Sequence, residues 1–377
     1  MTNNEELRVL LVSDMGKVGG TEIATYITAK ELKSYVQDVY VLGKKGPLSE
    51  SINQLDIKQF DVISHTKNPI KILQYIVRVI YVVNKYHINV IHAQMARPIP
   101  MLWVAKFFSK NKNLKIFWTS RGLNHSTYKY VVPLFNRMDV RGLGNCKLEQ
   151  KKLIRYGFEP LRTSYVYNAY RLNPDTAPKE KLSKNFITVG TLSALRADRC
   201  VDLFLEIAKY INESKEFPQN IQFIIGGDGP HRKELECLAE NMNIQHKISF
   251  MGNIVDVEDF MQKVDVFVSP IVVDGDSGAG VSNAIVEAML TKTPVCAYAA
   301  SAIGEIVINN QTGYLVEPRN TEAMAKAILQ TIDDKEHTQV YVENAYDLII
   351  KECDPQNYAK KLISLYKNNI LLIFKYR

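Results

Sequence analysis

The sequence predicts an α/β fold built from two doubly wound domains. Short apolar runs ended by glycine or polar residues alternate with helix-spaced segments through both halves of the 377 residues. Glycine-rich loops follow several of those runs, and the alternation lapses once, around residues 168–184.

The run LRVLLVSD (Leu7 to Asp14) has the character of a parallel strand buried on both faces. After the loop MGKVGG, the segment TEIATYITAKELKS sets Ile23, Ile27 and the Glu31/Leu32 turn at helical spacing, with Thr21 as cap. QDVYVLG and NVIHAQ read as strands flanking the helical PIKILQYIVRVIYVVNKY. A helix around Met101 to Phe108 and the strands LKIFWTS and RGLGN follow. SYVYNAYRLNPDTAPKEKLSKN then loses its periodicity and gathers Pro174, Pro178, Asn and Lys, as a linker does. The second alternation runs FITVG, VDLFLEIAKYI, IQFIIGG, HRKELECLAENM, KISFMG, a short helix near Val257 to Gln262, DVFVSP, NAIVEAML, PVCAYA, GYLVEP and TEAMAKAILQTI. The boundaries are therefore a first domain over 1–170, a linker over 171–184, a second domain over 185–355, and a C-terminal helix over 356–377 that packs back on the first domain. The amphipathic PIKILQYIVRVIYVVNKY, with Lys71, Arg78 and Lys85, either faces the core or lies on a membrane, and the tail ILLIFKYR either packs on the first domain or lies on a membrane.

An apolar content of 46% with 23% charge supports two globular cores rather than disorder. No apolar run reaches the roughly 20 residues that span a bilayer, and the start MTNNEELR is polar and acidic, so a cytosolic protein is expected. The five cysteines are far apart and form no metal or redox motif. Charge is uneven: residues 1–175 hold 26 Lys+Arg against 13 Asp+Glu, and the remainder 21 against 27. A basic first half suits a phosphorylated acceptor or an anionic membrane surface. Nucleic acid is disfavoured, since no recognised binding motif accompanies the charge. A lysine-rich solvated surface explains the excess as well.

In doubly wound sheets, chemistry sits in the loops beyond the C-terminal strand ends. Gly16-Lys17-Val18-Gly19-Gly20 can bring backbone N–H groups against an anion, or simply form a tight turn. In GGDGPHRKEL, Arg232 stands where a dinucleotide fingerprint needs its third glycine, which disfavours a nicotinamide cofactor. Arg196 and Arg199, in the loop TLSALRADRC, suit a diphosphate leaving group or a solvated loop. In DSGAGVSNAIVEAM, the amides of Val281, Ser282 and Asn283 open a helix that favours phosphate, and Glu287 can accept hydrogen bonds from sugar hydroxyls. His92, at the end of NVIHAQ, is a reaction-face candidate or a packed core histidine.

The order of these pieces resembles the retaining glycosyltransferases of the GT-B fold, family 4 in particular, in which two Rossmann-like domains face a cleft. The likeness covers nearly the whole chain: Gly19-Gly20-x-Glu22, the YNAYR context before the linker, GGDGP with its basic-Glu-Leu helix, FMGN before DVFVSP, the EAM helix, a Pro-Val strand and GEIVINNQTGYLVEP. The resemblance implies that Glu287 binds the nucleotide's ribose hydroxyls and that the amides of Gly280, Val281, Ser282 and Asn283 face the diphosphate and sugar. It implies that Arg199 or Arg196 holds the diphosphate, that Ile254 meets the base, and that Gly19 and Gly20 close over the diphosphate; Asp228 of GGDGP joins the donor side. Three positions depart from the pattern: Ala279 replaces a glutamate near the donor sugar, Thr191 a usual arginine, and Arg121 an acceptor-side histidine, with His125 four residues on.

The expected reaction is transfer of a sugar from a nucleotide diphosphate donor to a hydroxyl of a saccharide or lipid-linked acceptor, with retention, in surface polysaccharide or lipopolysaccharide assembly. The first domain binds the acceptor and the second the donor, with Arg121, His92 and Arg199 as catalytic candidates. No cofactor and no metal are expected; Asp274-Gly-Asp276 looks like a metal motif but stands before a glycine loop of the GT-B type. The setting is the cytoplasm, peripheral to the inner face of the cell membrane. A binding-only or impaired relative, raised by Ala279, and a nucleotide-sugar epimerase of the same fold stay open.

Overall fold

The computed structural model describes residues 6–16, 19–63, 67–172, 186–273 and 280–367. Residues 173–184 of the expected linker, Ala279, the Asp274/Asp276 pair and the tail beyond Lys367 lie outside the described residues. The chain divides into two compact units: residues 1–169 with 353–377, and residues 170–352.

The first unit runs β1 (Arg8–Val12), α1 (Gly20–Lys33), β2 (Asp38–Leu42), α2 (Ser49–Gln54), β3 (Lys58–Phe60), α3 (Pro69–Lys85), β4 (Val90–Ala93), α4 (Ile99–Phe108), β5 (Lys115–Ser120), α5 (His125–Arg137), β6 (Val140–Gly144), α6 (Lys147–Arg155) and β7 (Thr163–Tyr165). Its seven strands are ordered β3-β2-β1-β4-β5-β6-β7, with every neighbouring pair parallel. Side chains alternate across the sheet, so each strand feeds two cores. Leu10, Val12, Ile116 and Trp118 enter one core with Tyr75, Val79 and Phe135, while Val9, Leu11 and Phe117 enter the other. This is why residues 9–12 of β1 and 39–42 of β2 are apolar at consecutive positions rather than at alternate ones.

The second unit runs β8 (Ile187–Leu192), α7 (Val201–Glu213), β9 (Ile221–Gly226), α8 (Arg232–Asn241), β10 (Ile248–Gly252), α9 (Val257–Lys263), β11 (Val266–Ser269), α10 (Asn283–Leu290), β12 (Val295–Tyr298), β13 (Tyr314–Val316), α11 (Thr321–Asp333) and α12 (Lys335–Cys353). Its six parallel strands are ordered β10-β9-β8-β11-β12-β13. The amphipathic faces of α7 (Phe204, Ile207, Ile211) and α11 (Met324, Ile328) close one side over Val189, Phe223 and Val268.

The last helix, α13 (Pro355–Lys367), belongs to the first unit. Tyr358, Leu362 and Tyr366, four residues apart, form one stripe sunk in the core beside Leu11 and Phe117. Each such side chain contributes about 1.5–3 kcal/mol of apolar burial. The Tyr358 hydroxyl is also hydrogen-bonded to Thr28 Oγ1 at 2.7 Å.

Several elements escape the sequence pattern. β3 and β7 are three residues each, too short to show a period. α5 carries Pro133 inside it, which reads as a helix breaker in sequence. The cap expected at Thr21 is corrected: α1 begins at Gly20, with Gly19 as its N-cap and no side chain capping it.

Strand order reverses between β1 and β4 in one unit and between β8 and β11 in the other. Loops leaving these strands diverge to opposite faces of the sheet and leave a crevice where doubly wound proteins bind ligands.

Candidate functional site

In the second unit, the reversal brings together two of the loops that the sequence singles out. The loop after β8 carries Arg196 and Arg199, and the segment after β11 leads into α10. Cys200 Sγ donates to the Val272 carbonyl at 3.5 Å, tying the first loop to the second. The loop after β9 joins them: Leu195 N–H donates to the Asp228 carbonyl at 3.0 Å. Gly227 sits at φ +113°, where an added Cβ would lie 2.0 Å from the Ser193 carbonyl oxygen, so only glycine permits this approach. A Cβ on Gly226 would meet Ile254 Cγ1 at 2.9 Å, which places Ile254 against the same strand end.

Arg196 and Arg199 share one carboxylate. Arg196 makes a bidentate pair with Asp198 at 2.9 and 2.8 Å, and Arg199 Nε stands 3.6 Å from the same group. The Arg196 hydrogen bond holds the Asp198 carboxyl below its usual range. Asp228 is partly exposed and accepts from Gly229 N–H at 2.7 Å and from Arg232 at 3.2 Å. Thr191 is buried within β8.

Gly280, Val281, Ser282 and Asn283 are half-buried and lead into α10, whose N-cap Ser282 makes no side-chain cap. First-turn N–H groups have no intrahelical acceptor, so an anion fits this helix start. Every residue from Ala284 to Leu290 is buried, which carries Glu287 inside with the apolar residues around it. A buried carboxylate is costly unless paired. Its partner is Arg171: Nε donates to Glu287 Oε1 at 2.5 Å, with 5% of the glutamate and 37% of the arginine side chain exposed. Burial pushes the Glu287 carboxyl above its ordinary value of 4.5, and Arg171 opposes that rise. Sequence reasoning missed Arg171. It lies 116 residues from Glu287 at the edge of the aperiodic segment, and its only signal was its place at the end of YNAYR.

In the first unit, four adjacent strands β1, β4, β5 and β6 end in polar residues: Ser13, Gln94, Arg121 and Asn145. Arg121 is gripped by two side-chain oxygens, Asn168 Oδ1 and Gln94 Oε1, each at 2.7 Å. Burial lowers its pKa, opposed by Tyr358 and Glu22. Among the described residues, Arg121 Nε, Gln94 Nε2, Ser13 Oγ and Asn145 Oδ1 are buried without a hydrogen-bond partner. Each such atom costs about 1–3 kcal/mol. Ser13, Gln94 and Asn145 carried no sequence signal, because only tertiary placement reveals an unsatisfied atom. Gly19 caps α1 and Gly20 begins it, and His125 begins α5, paired with Tyr156.

The reaction-face reading of His92 is corrected. The ring is fully buried, with Nδ1 2.6 Å from Tyr366 Oη and Nε2 2.7 Å from Thr119 Oγ1. Burial drives its pKa down to about 3, so it is a neutral core residue.

Residues 173–348 match the family model described as glycosyl transferases group 1. A poly(ribitol-phosphate) alpha-N-acetylglucosaminyltransferase of Staphylococcus aureus (strain COL) is 23% identical over 181 residues, 48% of this chain and 35% of the relative. The match thus spans well under two thirds of that relative's length. Among solved structures, a glycosyltransferase from Rickettsia africae ESF-5 superposes with a TM-score of 0.83 at 20% identity, covering 99% of this chain and 100% of that one. An Anabaena protein solved in complex with UDP and glucose gives 0.81 at 19% identity, over 96% of this chain and 100% of that one. The fold is therefore GT-B, as the sequence resemblance implied.

Proposed function

Residues 173–348 match the group 1 glycosyl transferases within a GT-B fold, and on that premise we propose that this chain transfers a sugar from a nucleoside diphosphate sugar to an acceptor hydroxyl. The observation that carries the reading is Glu287: a buried, paired carboxylate near the start of an uncapped helix, beside the strand-order reversal. An anionic diphosphate suits the α10 amides and the Arg196/Arg199 loop, and ribose hydroxyls suit a carboxylate acceptor. In the reaction, the bond from the anomeric carbon to the terminal phosphate oxygen breaks and a bond to the acceptor oxygen forms. The acceptor's proton passes to the leaving diphosphate, and the α10 amides and an arginine offset the charge that develops on that group.

Arg121 and the unsatisfied polar edge of the first unit supply hydrogen-bonding groups of the kind that sugar hydroxyls satisfy. The acceptor class we propose is a saccharide or lipid-linked saccharide of cell-surface polysaccharide assembly, and the hexosyl transfer proceeds with retention. One residue favours a second reading: Ala279, at the position where the resemblance implies a glutamate, suits a protein that binds the donor and transfers slowly or not at all.

A thermal-shift screen of nucleotide-sugar donors, followed by product analysis with and without acceptor, tests both. A donor that stabilises the protein and yields a glycosylated acceptor supports transfer; stabilisation without transfer or hydrolysis supports the second reading. An altered sugar in the absence of acceptor would indicate an epimerase, and no stabilisation by any donor refutes all three.

A further inference from the structure

Helix α3 is apolar on two opposite faces. Tyr75, Val79, Val82 and Val83 are buried in the first unit's core. About 100° separates successive residues of a helix, so Ile70, Leu73, Val77 and Tyr81 fall on a single stripe across the helix from that face. These side chains are exposed: Ile70 by 67%, Leu73 by 62% and Val77 by 57%. Lys71, Arg78 and Lys85, seven residues apart, run along one flank of the stripe. At its end, the Arg78 guanidinium lies 5.6 Å from the Tyr81 ring centre, and Lys85 Nζ donates to Tyr81 Oη at 2.7 Å. Helix α4 packs against α3 and adds Phe107 and Phe108, exposed by 72% and 65%.

Core packing explains one face of α3 and leaves the other unexplained. Contiguous exposed aliphatic and aromatic groups rimmed by cations have the make-up of a helix that lies in a lipid interface. The surrounding charge selects the occupant. From Val62 to Met138 the sequence has no Asp or Glu and 12 Lys+Arg, a stretch that spans α3, α4 and α5. A second copy of the chain docked on this face would set cations against cations, whereas an anionic surface complements them. None of the helices among the described residues is long and apolar enough to cross a membrane.

We propose that the exposed face of α3, extended by the end of α4, docks the first unit on the surface of an anionic lipid bilayer. The helix lies parallel to that surface, with Ile70, Leu73 and Val77 entering the acyl boundary and Lys71, Arg78 and Lys85 meeting lipid phosphates. This holds whatever reaction the second unit catalyses.

Co-sedimentation of the full chain with phosphatidylcholine vesicles, with and without phosphatidylglycerol, tests it. The wild type is expected to bind the mixed vesicles, to bind the neutral ones at least about tenfold more weakly, and to be released by added salt. The Ile70→Ser/Leu73→Ser/Val77→Ser variant removes only exposed side chains, so its circular dichroism melt should match the wild type while its partition falls at least about tenfold. Lys71→Gln/Lys85→Gln should lose about fivefold per position. A triple-serine variant that binds as well as wild type, a wild type that binds neither vesicle, or equal binding to both vesicles would overturn the proposal. Sedimentation equilibrium showing a dimer that the serine variant abolishes would also overturn it, in favour of a second copy.

Discussion

Replacing Arg171 by methionine keeps the length of the side chain and removes the counter-charge that pairs with Glu287 among the described residues. Breaking a fully buried ion pair costs about 3–5 kcal/mol, and breaking an exposed one at most about 1. Glu287 is 5% exposed and Arg171 37%, so solvent screens one partner and the expected loss falls between, at about 1–3 kcal/mol near neutral pH. The sign of the pH dependence follows from the raised Glu287 pKa. Without Arg171 the carboxyl rises further and takes up a proton more readily as pH falls. The penalty should therefore be full at about pH 8 and shrink toward pH 5. Glu287→Gln in the same chain removes the stranded charge and should recover at least half of the loss. Both tryptophans, Trp103 and Trp118, lie in the first unit, so unfolding in urea should be followed by circular dichroism. A loss below about 0.5 kcal/mol at high pH, or an equal loss at both pH values, would refute the pairing.

Gly227→Ala forces a side chain into a positive-φ position 2.0 Å from the Ser193 carbonyl oxygen and should cost at least about 2 kcal/mol in the circular dichroism transition. His92, with a pKa lowered from 6.5 to about 3, stays neutral in the folded state and takes a proton on unfolding. Its stabilisation is complete above pH 6.5 and is lost as pH falls toward 3, by up to about 1.4 kcal/mol per pH unit. His92→Phe should flatten that slope in urea unfolding read by tryptophan fluorescence, which reports the first unit through Trp103 and Trp118. Arg121→Lys should lower the transfer rate roughly 100-fold while nucleotide affinity stays within about twofold, because Arg121 lies in the other unit.

The fold was legible where strands are buried on both faces and glycine loops follow them, as in FITVG, IQFIIGG and DVFVSP. Short edge strands such as β3 and β7 carry no period, and α5 hides behind Pro133. The unit boundary at Ala169/Tyr170 is set by which core the chain joins, which composition locates only to within the aperiodic segment. Candidate site residues on loops after strands could be named in advance, since glycine spacing and helix starts are local features. Arg171 could not, because its pairing closes over a long stretch of chain. The same holds for the orphaned atoms of Ser13, Gln94 and Asn145, whose environment is made by four separate strands. His92 was read with both outcomes open; burial and two hydrogen bonds decide it for the core.

Calorimetric titration of nucleoside diphosphates into the wild type and the Glu287→Gln variant bears most directly on the proposed donor site. Losing a charge-assisted acceptor for ribose costs about 1–3 kcal/mol, so the variant should bind at least about fivefold more weakly. Wild-type affinity should also fall as pH drops through the raised Glu287 pKa, and the variant should show no such fall. Equal affinities for the two proteins, or no binding of any nucleoside diphosphate to the wild type, would contradict the assignment.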